Sequence, residues 1–98
     1  MPVEIIFRPA VKNEVDEIVS YYENQKSGLG ILFLNLLDIL IKRIETNPTQ
    51  FPKVHQKICK AVMNDFPYSI YFRMNKSQAI ILAVIHQKRN PEVWRKRK

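Results

Sequence analysis

Cysteine is almost missing from this 98-residue chain, with Cys59 its only one. One thiol forms no intramolecular disulfide and no multi-cysteine metal motif, so a reducing, cytoplasmic compartment is expected, with Cys59 a small core residue of a strand. Glycine is nearly as scarce: Gly28 and Gly30 are the only two. That excludes a glycine-rich phosphate loop and a nucleophile elbow. HExxH and paired-cysteine zinc spacings are missing too, so hydrolases and nucleotide enzymes of standard type are set aside, and no metal or cofactor is expected. No apolar run approaches the ~20 residues of a membrane span, and residues 1–7 lack the basic start of a signal peptide. A soluble protein with no membrane partner is the expectation.

Acidic residues are lacking from the second half. Residues 53–98 carry 11 basic and 2 acidic side chains, net +9, whereas residues 1–52 carry 5 and 7, net −2. Over the whole chain the charge is +7 and the pI about 9.8. A half so basic suits a polyanion such as RNA, DNA, the ribosome surface or an acidic protein segment; the plainer reading is a solubilising face. Apolar residues make up 46% and are spread throughout, too many for a disordered segment. The length allows one core, hence a single domain over residues 1–98 with a basic C-terminal tail at 91–98.

Residues 3–8 (VEIIFR) are β-branched and aromatic, which predicts a strand ended by Pro9. From Ala10 the period lengthens: Val11, Val15, Ile18, Val19 and Tyr22 fall at helical spacing to about Lys26, where Ser27, Gly28 and Gly30 permit a positive φ and a tight turn. A second helix over residues 29–46 carries Phe33, Leu36, Leu37, Leu40 and Ile44 as its stripe. Leu32, Leu34, Ile39 and Ile41 widen that stripe to roughly 220°, about twice what one-sided packing needs. Such a helix must be covered on two sides, as in a hairpin laid on a sheet, and a partner's helix could cover the rest. Asn47-Pro48 ends it and residues 49–52 form a loop. Strands are predicted over 58–63, 69–74 and 79–86, the last apolar on both faces and therefore central, with a polar turn at 75–78 between the last two. Residues 91–98 could begin a short helix at Pro91. The fold class is α+β, β-α-α-β-β-β, an antiparallel sheet with a helical hairpin on one face.

Several segments together resemble one family: the first strand and Ala10, the Tyr21-Tyr22 pair, the Asn47-Pro48 and Phe51-Pro52 turns, the FPYSIYF run at 66–72, and AVIHQKRNP at 83–91 followed by Trp94 and Arg95. In this order on a basic chain they look like the RelE/ParE superfamily of toxins and plasmid-stabilisation proteins, over nearly the whole length. The resemblance implies a growth-arresting toxin of a bacterial type II toxin–antitoxin system. Its partners would be a cognate antitoxin and either DNA gyrase or the ribosome with its mRNA, in a homodimer or a toxin–antitoxin hetero-oligomer. ParE-like members poison gyrase; RelE-like members cut mRNA in the ribosomal A site, and the fold does not choose between them.

RNA cleavage needs a base for the 2′-hydroxyl, cations on the phosphate and an acid for the leaving oxygen. The RelE-like pattern maps Lys60, Arg73 and Arg89 onto the cationic positions. Whether Lys60 and Arg73 share a sheet face is a question of register. Where RelE-like nucleases carry a C-terminal tyrosine this chain has Trp94, which can stack but not exchange a proton, so His86 is the substitute base. Its plainer role is to cap the end of the central strand. His55 is read as exposed. The missing tyrosine tilts the expectation toward gyrase inhibition, with the mRNA endonuclease as the alternative. A passive nucleic-acid-binding module using the WRKRK tail is the third reading. Target contacts are assigned to Lys57, Lys88, Arg89, Trp94, Arg95 and Arg97, and antitoxin contacts to Leu34, Ile41 and Tyr21. The aromatics Phe66, Tyr68, Tyr71 and Phe72 are read as core rather than as a base-stacking platform.

Overall fold

The computed structural model describes residues 2–97; Met1 and the last tail residue, Lys98, lie outside them. A short strand, β1 (Glu4–Phe7), leads into α1 (Pro9–Gln25), whose first position is proline, the place where a missing N–H costs nothing. The residue expected only to stop the strand therefore also starts the helix. Gly28, at φ +90, turns the chain into α2 (Leu29–Thr46). Gly30 lets the two helices close: a Cβ there would lie 2.7 Å from the Val19 carbonyl oxygen. The Glu23 carboxylate fastens this corner by accepting the N–H groups of Gly28 and Gly30, each at 2.9 Å. Those two bonds hold it below the ordinary carboxylate range.

After one 3-10 turn at Pro48–Gln50 come β2 (Lys53–His55), β3 (Ile58–Val62), β4 (Tyr68–Asn75) and β5 (Gln78–His86), then a four-residue helix, α3 (Glu92–Arg95). The sheet order is β1-β5-β4-β3-β2. Two details depart from the expected sheet. It is mixed, because β1 runs parallel to β5, as the helical hairpin carries the chain back before the meander begins. It also has a fifth strand, β2, whose three residues are too few to show alternation and whose pairing with β3 is irregular. The α+β architecture and the central place of β5 are as the sequence predicts, with β5 buried from Ala79 to Ile85.

Two cores follow. On one face α1 and α2 bury Phe33, Leu37, Leu40 and Ile44 against Cys59, Ile70, Phe72 and Ile81. Each such side chain stabilises the fold by about 1.5–3 kcal/mol. Tyr22 joins this core, edge-on to Phe66 at 4.8 Å, and burial pushes its hydroxyl pKa up to about 12. On the other face Ile58, Tyr71, Ile80, Leu82, Ala83 and Ile85 make a smaller core that α3 closes with Trp94. A bulge creates part of it. Tyr71 pairs with Ala83 and Phe72 with Ile81, so Leu82 is an extra residue, and Leu82 and Ala83 both belong to the smaller core. Burial also raises the Cys59 thiol pKa despite Lys53 nearby.

Candidate functional site

Register answers the question the sequence leaves open. Ile58 pairs with Arg73 and Lys60 with Tyr71, and Ile58 and Tyr71 both belong to the core away from the helical hairpin. By strand alternation Lys60 and Arg73 share that face. Gln56, at φ 51, and Lys57 make the turn between β2 and β3, and a cleft of about 410 Å³ opens there, lined by Gln56, Lys57, Ile58, Arg73, Arg95 and Arg97. The Lys60 ammonium lies 5.8 Å from the Tyr71 ring centre. Among the described residues no carboxylate stands within ion-pair distance of Lys57, Lys60 or Arg73, and Arg95 meets Glu92 at 3.5 Å. The cleft is thus strongly positive.

Trp94 is packed inward. Only 5% exposed, it stacks on Tyr71 at 4.4 Å and 11°, with His55 edge-on at 6.2 Å and the Arg95 guanidinium 5.5 Å from its ring centre. The indole that the sequence offered for stacking and target contact is buried, and the ring serves as the lid of the second core. Arg97 is likewise committed, donating to the Leu82 carbonyl at 3.0 Å and pairing with Glu14 at 2.8 Å. The described part of the basic tail is therefore packed onto the sheet. His55 is half-buried rather than exposed.

His86 falls on the other side. It follows Val84, a residue of the helical-face core, by one alternation, and its ring lies edge-on to Tyr68 at 5.4 Å. Its Nδ1 accepts the Lys88 N–H at 3.1 Å, a strand-end cap. A cleft of about 280 Å³ there joins His86 and Arg89 with Tyr21, Glu14, Glu17 and Tyr68. The four residues expected to form a nuclease site are therefore split, His86 and Arg89 on the helical side and Lys60 and Arg73 on the opposite face. Lys88 is exposed in the turn after β5.

The wide apolar arc of α2 stays partly uncovered. Leu34 and Ile41 line a groove of about 430 Å³ with Phe7, Val11, Val15 and Leu37, rimmed by Lys12, Asp16 and Asp38. Phe7 is 51% and Leu34 41% exposed. Tyr21 is exposed but belongs to the His86 cleft, so the three residues assigned to the antitoxin lie on two surfaces.

Residues 5–91 match the ParE toxin of type II toxin–antitoxin systems, parDE. The chain belongs to the ParE toxin family. In the solved chromosomal ParDE TA system from P. aeruginosa, one chain superposes on it with a TM-score of 0.76 at 14% identity, over 86% of this chain and 95% of that one. At that identity the likeness is one of fold. No curated protein sequence matches significantly. On this ParE scaffold sequence reasoning missed Gln56, Glu14 and the buried role of Arg97. None of these stands out in the local sequence pattern, because each acquires its place through contacts between distant segments. Among the described residues no helix is long and apolar enough to cross a membrane.

Proposed function

We propose that this ParE-family toxin arrests growth by poisoning DNA gyrase and is neutralised by a cognate antitoxin. The separation of His86 from Lys60 and Arg73 by the thickness of the sheet carries the choice of target. Cleavage of RNA requires base, acid and phosphate-binding cations to converge on one ribose and one phosphate. Two groups of side chains on opposite faces favour a binding toxin over an mRNA endonuclease. Of the cations assigned to target contact, Lys57, Lys88, Arg89 and Arg95 are exposed. The open groove around Leu34 and Ile41 fits the apolar side of an amphipathic antitoxin segment, and the +9 half-chain suits its acidic residues.

Purified toxin added to gyrase supercoiling reactions should inhibit them, while primer extension on ribosomes programmed with mRNA should show no A-site cuts. Cuts without gyrase inhibition would transfer the assignment to the mRNA endonuclease reading. His86→Ala gives a second check: loss of growth arrest at unchanged thermal stability would point to a chemical role for the imidazole.

A further inference from the structure

We propose that the basic cleft beneath α3 holds the sugar–phosphate backbone of duplex DNA. Lys57 and Arg73, neither with a described carboxylate partner, line it, Arg95 stands at the lip, and Lys60, equally unpaired among the described residues, lies beside Arg73 on the same sheet face. Lys60 and Arg73 are diagonal neighbours across β3 and β4, a placement that sets Cα atoms about 7–8 Å apart and lets two long side chains reach different phosphates of one strand. Lys57 extends the row from the turn preceding β3.

The aromatic rings decide between duplex and single strand. Proteins that hold single-stranded nucleic acid combine such cations with rings on which unpaired bases stack. Here Tyr71 and Trp94, the rings nearest the cations, are 4% and 5% exposed and stack on each other. Arg95 covers Trp94 and Lys60 reaches over Tyr71, so both rings are already engaged. A cleft that offers charge without a stacking surface suits a duplex, whose bases are already paired and whose outside is phosphate. The inference goes beyond the gyrase reading and is measured without gyrase, so either can fail alone.

The experiment is fluorescence anisotropy of the full chain with a labelled 20-base-pair duplex and with single-stranded RNA of equal length, across a salt series. The duplex should bind at least tenfold more tightly, with a log–log salt slope of about −3, near −0.9 for each phosphate neutralised. Replacing two cations, Lys57→Gln with Arg73→Gln, should weaken duplex binding about tenfold or more and flatten the slope by about 2. Arg73→Lys, which keeps the charge at the same place, should retain most of the affinity and controls for folding. Lys26→Gln with Lys42→Gln, the same charge loss on the helical hairpin, should bind as the unaltered chain does. Equal affinity for the RNA, or equal weakening by the two double variants, would overturn the proposal. Loss of duplex binding with gyrase inhibition intact would leave the cleft a DNA site separate from the toxin's action.

Discussion

The carboxylate of Glu14 and the guanidinium of Arg97, 2.8 Å apart, together clasp the free edge of the central strand. β1 ends at Phe7, and the last bond it sponsors is from the Arg8 N–H to the Ile81 carbonyl. Beyond it the Leu82 carbonyl accepts from Arg97 at 3.0 Å and the Val84 N–H donates to the Glu14 carboxylate at 3.1 Å. Side chains thus stand where a sixth strand's backbone would pair, and an open edge that could template association is closed. The same clasp ties the C-terminal residues to α1, which fixes α3 over the second core.

A double-mutant cycle measures the clasp. With side chains only 13% and 25% exposed, the pair is partly desolvated, and its coupling should reach about 1–2 kcal/mol, above the ~0–1 of surface pairs. Urea unfolding of Glu14→Ala, Arg97→Ala and the double variant gives the number; a coupling near zero would mean the two groups act independently.

Trp94→Ala should cost about 3–5 kcal/mol, because it opens a ring-sized cavity against Tyr71 and bares the second core, whereas Trp94→Phe should keep most of the stability. Thermal melts decide. If Trp94→Ala melts normally, the indole is dispensable as a lid.

Gly30→Ala drives a methyl to within 2.7 Å of the Val19 carbonyl oxygen, backbone that can move only by splaying the hairpin. A loss of about 1–3 kcal/mol is expected, as for other overpacked sites. At Gly28 nothing lies near a new Cβ, and the penalty of Gly28→Ala, about 1–2 kcal/mol, comes from φ alone. The two variants should therefore differ in repair: asparagine, tolerant of left-handed backbone, rescues position 28 but not position 30.

Glu23 predicts a pH dependence. Its carboxyl titrates below its ordinary 4.5 because the anion accepts two backbone N–H bonds at the hairpin corner. The folded value lies under the unfolded one, so the contribution is fully present above about 4.5 and fades as pH falls through the lowered value. Melting temperature followed from neutral pH into acid should drop less steeply for Glu23→Gln than for the parent; parallel curves would remove Glu23 from the account.

Much of this arrangement was legible beforehand. The helical spacing of Val11, Ile18, Phe33, Leu37 and Ile44 matches the residues the hairpin buries, and the doubly apolar run of β5 marked it as central. Gly28 and Gly30 announced the corner. These features are local, set by periodicity and backbone preference within a few residues, and a sequence displays them directly.

The site was less legible, because it depends on register and on contacts between distant segments. One extra residue at Leu82 changes the alternation along β5, and no composition rule announces a bulge. That register sends His86 to the helical side, while the pairing of β3 with β4 puts Lys60 and Arg73 on the other. Trp94 and Arg97 looked like an exposed basic tail because their partners, Tyr71, Leu82 and Glu14, lie far away in the chain. Sequence alone therefore determined the helices, the central strand and the positive half. Tertiary structure decided which cations stand together and which are spent on holding the fold, since pairing across strands is set by the packing of the whole sheet.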